Sequence, residues 1–388
     1  MARNTSLMII AGEVSGDMHA ARLVRAIHAR NPAITFYGVG GEQMRAAGVD
    51  TIVDIGDMAV VGFAEVVSKY RQLRRIFYDM LAVARSRQPD AVILVDYPGF
   101  NLRFAKRAHL MGLKTLYYVC PQVWAWHQAR IPKMAATLDR LIVFFPFEPD
   151  YFKETGLQVD FVGNPLVDEI AEAREQPHRP VPWQGEPRIA LLPGSRRHEI
   201  ERILPSMLAA AGLIEERHPT ASFVVPVHDE SAAELVKAVR AGCADGPTRC
   251  ETVVGATRPV MGEARAALIA SGTATLEASL MRCPMVITYR ASFMTYLLYR
   301  ALVKVDYLGL VNIVAGREVA PERVQYGGSP EALAHALEPL ISDDTAHTAA
   351  LAELDAVNAR LGPPGAADRA ALAVLDALGS GSAPSQEQ

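Results

Sequence analysis

A serine–glycine–threonine turn in the C-terminal half of the chain has the composition of an anion-binding loop. Ser271-Gly272-Thr273 follows the apolar segment 266–270, which we predict to be a buried strand, and precedes a predicted helix that carries Glu277. A helix N-terminus offers unpaired backbone N–H groups and positive dipole charge to a phosphate, and Gly272 lets a ligand approach the backbone closely. Glu277 is placed to accept two sugar hydroxyls. The alternative is an ordinary helix start capped by Ser or Thr.

A second loop of the same kind occurs earlier in this half. The segment 191–196 reads LLPGSR, in which Gly194 and Ser195 again stand between a predicted strand and a predicted helix, and Arg196 adds a charge suited to a diphosphate. Each loop alone is also explained as a plain helix start. The two together indicate a site for a nucleoside diphosphate sugar.

An aspartate ends a wholly apolar predicted strand in the N-terminal half. Asp96 follows residues 91–95, AVILV, so its carboxylate is expected at the carboxyl edge of the sheet. A partly desolvated carboxylate has a raised pKa, which suits a general base that takes a proton from an attacking hydroxyl. The alternative is a structural aspartate that bonds to the Pro98-Gly99 turn.

The loop after the first predicted strand is dense in polar groups. Residues 12–19 read GEVSGDMH, so Glu13, Ser15, Asp17 and His19 lie within one strand-to-helix connection. We interpret the loop as handling the hydroxyls or phosphate of a substrate; the alternative is that Asp17 only caps the helix. Neither this loop nor the glycines at 38–41 fit G-x-G-x-x-G, which argues against a nicotinamide dinucleotide site.

Two of the three tryptophans fall in one loop. Trp124 and Trp126 lie in the sequence CPQVWAWH, with Arg130 and Lys133 shortly after. Indole rings can form an apolar or sugar-stacking wall, and the basic residues can bind a phosphate. Two core aromatics beneath a loop are the alternative reading.

Strand-like and helical segments alternate along the chain and predict two Rossmann-like domains. Strands are expected at 7–11, 35–39, 91–95, 115–119 and 141–145, and again at 189–192, 222–227, 265–270 and 285–289. The proline-rich residues 171–188 are predicted to be a linker between an N-terminal domain (1–170) and a C-terminal domain (189–355), followed by a helical segment (356–378) and a polar tail (379–388). Ligands of such sheets bind at the carboxyl ends of the strands, so the site is expected in the cleft between two facing domains.

Composition excludes several classes of protein. The 388 residues carry a net charge of −4, which argues against a general nucleic-acid binder. The four cysteines have no C-x-x-C spacing, so we expect free thiols in a reducing compartment rather than disulfides or a zinc site. No secretory signal or membrane-spanning run is recognisable, and a cytoplasmic protein is expected.

One basic amphipathic segment is compatible with a membrane surface. Apolar residues recur at helical spacing from Val60 to Ala84, including Val60, Phe63, Val66 and Leu73, beside a cluster of Lys and Arg. Such a helix can lie on an anionic bilayer. The alternative is the core-facing side of an ordinary surface helix.

Taken together, the motifs resemble those of the lipid-A-disaccharide synthases, glycosyltransferases of the two-domain GT-B type. The resemblance extends in family order from residue 12 to about 325. It is carried by GEVSGD (12–17), DYPGFN (96–101), PQVWAW (121–126), PFE (146–148), VGNPL (162–166), LLPGSR (191–196), SGTATLE (271–277), CPMVITY (283–289) and NIVAGR (312–317).

The resemblance implies an inverting transfer from UDP-2,3-diacylglucosamine to 2,3-diacylglucosamine 1-phosphate (lipid X), without metal or other cofactor. Asp96 is then expected to be the base, with Glu13 or Asp17 as alternatives. Acceptor contacts are expected from the first-domain residues Gly12, Ser15, Gly16, His19, Asn101, Trp124, Trp126 and Arg130. Donor contacts are expected from the second-domain residues Gly194, Ser195, Arg196, Ser271, Gly272, Thr273, Glu277 and Asn312.

Acylated substrates also imply work at a bilayer. We therefore expect a peripheral protein on the cytoplasmic face of the inner membrane, with Val60, Phe63, Val66 and Leu73 in membrane or acyl contact. A homodimer is left open. Two rivals are another GT-B enzyme, such as a UDP-N-acetylglucosamine 2-epimerase, and a non-enzymatic, membrane-associated nucleotide-sugar binder.

Overall fold

The computed structural model describes residues 5–58, 66–290 and 305–379, and two parallel sheets organise them. The first contains β1 (Ser6–Ala11), β2 (Thr35–Gly40), β3 (Val49–Asp54), β4 (Ala91–Val95), β5 (Thr115–Tyr118), β6 (Arg140–Val143) and β7 (Gln158–Phe161). The second contains β8 (Arg188–Leu192), β9 (Ser222–Val227), β10 (Cys250–Val254), β11 (Ala266–Ala270), β12 (Met285–Tyr289) and β13 (Glu322–Val324).

Helices connect the strands of both sheets. The first series is α1 (Val14–Arg30), α2 (Glu42–Ala46), α3 (Ile55–Met58), α4 (Val66–Arg87), α5 (Pro98–Leu110), α6 (Ile131–Ala135) and α7 (Pro165–Glu175). The second is α8 (Arg197–Arg217), α9 (Glu230–Ala241), α10 (Thr257–Glu263), α11 (Ala274–Leu280), α12 (Leu310–Ala315), α13 (Pro330–Ser342), α14 (Asp344–Arg360) and α15 (Ala366–Gly379). No helix in the described ranges combines the length and apolar character needed to cross a bilayer.

Both sheets share one strand order. The first runs β3-β2-β1-β4-β5-β6-β7 and the second β10-β9-β8-β11-β12-β13, with all pairs parallel. The order reverses between β1 and β4 in one sheet and between β8 and β11 in the other. A doubly wound α/β fold in each half is therefore confirmed. In folds of this type, ligands bind where the strand order reverses.

The central strands are those that the apolar runs predicted. β1, β4 and β11 are almost entirely buried, because helices cover both faces of a parallel sheet. Sequence analysis missed β3, β7, β10 and β13, which are the outer strands of the two sheets. Their residues are mostly half-exposed and polar, as in DTIVD and QVDF, so they lack the apolar run by which the inner strands were recognised.

The chain divides into two compact units at boundaries that differ from the predicted ones. The first unit is Met1–Pro165 with Pro363–Gln388, and the second is Leu166–Gly362. The predicted linker 171–188 is part of the second unit: its first residues complete α7, and Trp183 Nε1 donates to Glu263 Oε2 at 3.0 Å. Its prolines mark irregular backbone rather than a separation of domains.

The last helix returns to the first unit, which corrects the predicted C-terminal helical segment 356–378. The buried side chains of α15 belong to the same core as β1, β4 and α1. Arg140 pairs with Asp160 and also with Asp376 of α15, and Lys114 donates to the carbonyl of Ala377. Residues 380–388 of the predicted tail lie outside the described ranges.

This packing predicts unequal effects for two truncations on α15. Val374 is fully buried, so Val374→Ala removes two methyl groups from the core and should lower the free energy of unfolding by about 2 kcal/mol. The matched control Leu372→Ala alters a side chain that is 53% exposed and should change it by less than about 0.5 kcal/mol. Urea denaturation measures both. Equal, small effects would mean that α15 does not pack as described.

Candidate active site

Polar loops follow all four strands that flank the two reversal points. In the first unit, β1 leads to the loop with Glu13, and β4 leads to Asp96. In the second unit, β8 leads to Gly194-Ser195-Arg196, and β11 leads to Ser271-Gly272-Thr273. Each sheet therefore brings two of the sequence-predicted loops to the crevice at which its strand order reverses.

Asp96 and Glu13 form a carboxyl pair in the first unit. The Asp96 side chain is half-buried, and Glu13 beside it is exposed. Burial, followed by the charge of Glu13 and a hydrogen bond with its side chain, raises the pKa of Asp96 to about 6. Ser15 Oγ donates to Glu13 Oε1 at 3.1 Å. Asp96 can therefore take up a proton near neutral pH, as a general base must.

Strained backbone marks the residues after β4 and β5. Asp96 and Tyr97 both have positive φ, at +44° and +48°, and Val119 has φ +72°. Such conformations are costly, most of all for a β-branched residue, and they cluster at functional sites. Gly12 leaves room for this turn, because a Cβ there would lie 2.3 Å from the Tyr97 ring.

Asn101 is fully buried and supports the backbone at Asp96. Its Nδ2 lies within hydrogen-bond distance of the carbonyls of Ile10, Val95 and Asp96, at 3.3, 3.0 and 2.8 Å. Tyr117 Oη also donates to the Asp96 carbonyl, at 2.6 Å. Asn101 is thus a positioning residue for Asp96, in contrast to the acceptor contact that was expected of it.

Asp17 does not lie free in the site. It is buried, and its carboxylate accepts the backbone N–H groups of Gly41, Gln43 and Met44, at the start of α2. The expected helix cap is therefore present, but on α2 rather than on its own helix, and Asp17 is withdrawn as an alternative base. Gly16 is buried against Ala11, and the His19 ring packs edge-on to Phe144 at 5.3 Å.

The two tryptophans of the 121–127 loop differ in exposure. Trp124 is buried, and its indole N–H lies 3.3 Å from Glu148 Oε1, whereas Trp126 is 46% exposed. Glu148 Oε2 also accepts the N–H groups of Phe144 and Phe145. Burial raises the pKa of Glu148 to about 7 against these hydrogen bonds. Trp124 is thus a core anchor, and Trp126 is the ring that can reach a ligand.

Arg196 and Ser195 are exposed at the start of α8. The Arg196 backbone N–H and guanidinium both donate to the Glu199 carboxylate, which orders the loop. Gly194 has φ +105°. The long helix α8 thus directs its N-terminus and an exposed guanidinium to the crevice, an arrangement suited to a phosphate group.

Part of the 271–273 loop is already hydrogen-bonded within the second unit. Ser271 Oγ donates to the Leu308 carbonyl at 2.7 Å, so its hydrogen is not available to a ligand. Gly272 has φ +155°, and open space lies where its Cβ would stand, so a ligand can approach the backbone there. Thr273 is exposed.

Glu277 lies in an open cavity of about 850 Å³ within the second unit, which Arg258, His228 and Val254 also line. Arg258 Nε donates to Glu277 Oε2 at 3.2 Å, and Arg258 Nη2 donates to Glu169 Oε2 at 3.1 Å. Sequence reasoning did not single out Arg258 or Glu169. The geometry leaves Oε1 of Glu277 for a hydroxyl ligand while Arg258 holds the other oxygen.

Asn312 lies away from this cavity and is fully buried. Its Nδ2 donates to the Ala320 carbonyl and Glu322 Oε1, while its Oδ1 accepts from Val319 and Ala320. Both ends of the amide are used, so Asn312 organises the loop after α12 rather than contacting the nucleotide as expected.

The expected membrane residues are only partly described. Val60 and Phe63 lie outside the described residues, and for Val66 only the backbone of α4 is described. Leu73 is half-buried and packs against the first-unit core. In the ranges 5–58, 66–290 and 305–379, no group of three or more His, Cys, Asp or Glu side chains has the arrangement of a metal site.

Comparison with known proteins identifies the family. The lipid-A-disaccharide synthetase family model matches residues 7–365. The lipid-A-disaccharide synthase of Syntrophus aciditrophicus is 40% identical over 372 residues, covering 95% of this chain and 97% of that protein. That of Trichlorobacter lovleyi is 41% identical over 382 residues, covering 97% and 98%. The chain belongs to the lipid-A-disaccharide synthase family. It is accordingly a glycosyltransferase with a role in the synthesis of the lipid A disaccharide.

Solved structures show the GT-B fold of this family member. The calicheamicin glycosyltransferase CalG4 superposes with a TM-score of 0.62 at 14% identity, covering 98% of this chain and 100% of that one. The UDP-GlcNAc 2-epimerase of Neisseria meningitidis, solved with UDP-GlcNAc, gives 0.58 at 10% identity and covers 97% and 100%. At this identity the likeness is one of fold alone, and the epimerase alternative is not favoured over the family at about 40% identity.

The carboxyl pair predicts a specific pH dependence. If Asp96 must be ionised, kcat/KM should rise with pH, reach half of its limiting value at about pH 6 and level off at higher pH. Glu13→Gln removes one of the causes that raise the Asp96 pKa, so the rising limb should move to lower pH. Asp96 stays partly buried in this variant, so the pH of the rising limb should remain above the pKa of a free aspartate. The control Glu154→Gln makes the same change at an exposed site and should leave the profile in place. If the rising limb of the pH profile stays in place in Glu13→Gln, Glu13 does not contribute to the pKa of Asp96.

Proposed function

We propose that the protein transfers 2,3-diacylglucosamine from its UDP derivative to the 6-hydroxyl of lipid X, with inversion at the anomeric carbon. The products are UDP and a β-1,6-linked disaccharide 1-phosphate. The acceptor oxygen forms a bond to the anomeric carbon as the bond to the UDP oxygen breaks. The acceptor proton passes to the enzyme, and UDP leaves with the bonding electrons. A single displacement of this kind needs one base and stabilisation of the departing diphosphate.

The Asp96–Glu13 carboxyl pair carries the proposal. Asp96 is half-buried at the reversal point and its pKa is raised to about 6, which gives a base that is ionised at neutral pH yet more basic than a free aspartate. The charge of Glu13 contributes to this raised pKa. Asn101, Tyr117 and the strained turn hold the Asp96 backbone in place, so little reorganisation is needed when a hydroxyl arrives.

The second unit is suited to the UDP part of the donor. Arg196 and Ser195 stand exposed at the N-terminus of α8, where a departing diphosphate would meet positive charge and N–H donors. Glu277 is proposed to accept the ribose hydroxyls in its cavity, with Arg258 fixing its orientation. Gly272 and Thr273 border the same crevice from the β11 side.

Acylated substrates place this reaction at a lipid surface. We propose that the protein is peripheral on the cytoplasmic face of the inner membrane and that the segment 60–84 contacts lipid. The described part of this segment is α4, on which Arg71, Arg74 and Arg75 are exposed beside Tyr70 and Tyr78. Exposed arginines and tyrosines on one helix favour anionic lipid surfaces.

The reaction is tested by incubating the protein with both lipid substrates and detecting the disaccharide 1-phosphate by mass. Asp96→Asn keeps the shape of the side chain but removes its basicity, so kcat should fall by about a thousandfold. The dissociation constant for UDP, measured by calorimetry, should stay within about twofold of the wild-type value, because Asp96 lies in the other unit. Near-normal turnover in Asp96→Asn would remove it as the base.

The ribose assignment is tested separately. Glu277→Ala removes a charged hydrogen-bond acceptor and should weaken UDP binding by about tenfold to a hundredfold. Glu251→Ala, also in the second unit but outside this cavity, is the control and should bind UDP normally. Uracil, which lacks the ribose, should bind wild type and Glu277→Ala equally. Unchanged affinity for UDP in Glu277→Ala would contradict the ribose contact.

A further inference from the structure

A groove between α4 and α5 of the first unit combines the α4 surface that was proposed above to contact lipid with an α5 surface to which no role has been assigned. It has a volume of about 710 Å³, within the range of ligand sites. Leu73, Phe77 and Phe100 form its apolar lining, and the Phe77 ring packs edge-on to Phe100 and Phe104 at 5.3 and 5.7 Å. The apolar part is therefore a built aromatic surface rather than loosely arranged side chains.

The rim of the groove carries four cationic residues. Arg74 comes from α4, whereas Arg103, Lys106 and Arg107 come from one face of α5 at spacings of three and four residues. The three α5 side chains are exposed and have no carboxylate partner among the described residues. None of the described residues that line the groove is acidic. In a chain of net charge −4, this concentration of positive charge is complementary to an anion.

Two further aromatic residues stay exposed beside these cations. Tyr70 and Tyr78 line the groove and are 57% and 51% exposed, and the Arg74 guanidinium lies 5.8 Å from the centre of the Tyr78 ring. Apolar lining with a cationic rim fits an amphiphile that carries an acyl chain and an anionic group. A simple phosphate would leave the aromatic surface unused, and a neutral lipid would leave the cations unused.

One end of the groove lies next to the proposed base. Tyr97 and Gly99 line it, and Tyr97 directly follows Asp96 in the strained turn that begins α5. The Tyr97 hydroxyl is bonded to the Met58 carbonyl at 3.2 Å, which fixes the ring at this end. An amphiphile in the groove would therefore have part of its length close to the Asp96–Glu13 pair.

We propose that the α4–α5 groove is the acceptor site. An acyl chain of lipid X lies against Leu73, Phe77 and Phe100 and extends along the exposed rings of Tyr70 and Tyr78. The phosphate of lipid X is bound by Arg103, Lys106 and Arg107. This inference rests on the proposed function and names the site of one of its substrates. It assigns the phosphate to α5 instead of to Arg130, which the sequence had suggested.

The first test removes two cations at once. Arg103→Ala/Arg107→Ala should raise the KM for lipid X in neutral detergent micelles by about tenfold to a hundredfold, with kcat at saturation and the KM for the UDP donor unchanged. Both side chains are exposed, so folding should be retained, which urea denaturation checks. The control Arg25→Ala/Lys153→Ala removes two exposed charges elsewhere in the first unit and should have wild-type kinetics.

The second test changes the substrate. With 2,3-diacylglucosamine that lacks the 1-phosphate, wild type and the Arg103/Arg107 variant should have equal acceptor KM values, because the group that the cations bind is missing. If the two acceptor KM values still differ with this substrate, the arginines do not act by binding the phosphate, and the phosphate assignment is wrong. A third variant, Tyr70→Ser/Tyr78→Ser, should raise the acceptor KM with either substrate, and an unchanged KM would contradict the acyl part.

Binding to the bilayer itself is the competing use of the same charges. Sedimentation with phosphatidylglycerol vesicles separates the two: if the Arg103/Arg107 variant loses vesicle binding but keeps a wild-type acceptor KM in neutral micelles, the cations serve the membrane and the proposal fails. Wild-type protein that forms no disaccharide at all would overturn the proposed function instead. Normal transfer by wild type and variants alike would overturn only the groove assignment.

Discussion

The buried amide side chain of Asn101 stabilises the strand ends on which the candidate site of the first unit depends. Asn101 has no exposed surface, and its nitrogen lies within reach of the carbonyls of Ile10, Val95 and Asp96, where β1 and β4 end and their loops diverge. Backbone carbonyls that leave a parallel sheet without partners are costly when buried. Asn101 shares its two amide hydrogens among these carbonyls and so stabilises the ends of β1 and β4, after which Glu13 and Asp96 lie. In the second unit, Asn312 organises its loop in the same way.

The surroundings of each acidic side chain in the first unit, rather than its residue type, determine its role. Asp17 accepts three backbone N–H groups and is a structural cap. Glu148 is buried against Trp124, which raises its pKa to about 7, and it orders the tryptophan loop. Asp96 combines partial exposure with a pKa that is raised by burial and by Glu13. On our proposal, these surroundings make Asp96 the proton acceptor among several acidic candidates.

The two units use one topology for different ligand chemistry. In the second, a long helix, an exposed arginine and Glu277 suit a diphosphate and a ribose. In the first, the crevice has carboxyls and continues into an aromatic groove with a cationic rim. On our proposal, the same strand reversal supports a nucleotide on one sheet and an acylated acceptor on the other. The difference lies in the loops and in the helices that follow them.

The sequence by itself determined the two sheets through their inner strands, because buried parallel strands are continuous apolar runs. It also placed Asp96, Glu13 and Arg196 in strand-end loops and Glu277 in the helix after such a loop, because polar residues that follow an apolar run are conspicuous. It did not reveal the outer strands, which are half-exposed. Nor did it show that α15 returns to the first unit. Tertiary structure alone decided the remaining features, since each depends on backbone or side chains that are distant in the chain. These are the roles of Asn101, Asn312 and Asp17, the Arg258 contact of Glu277 and the α4–α5 groove.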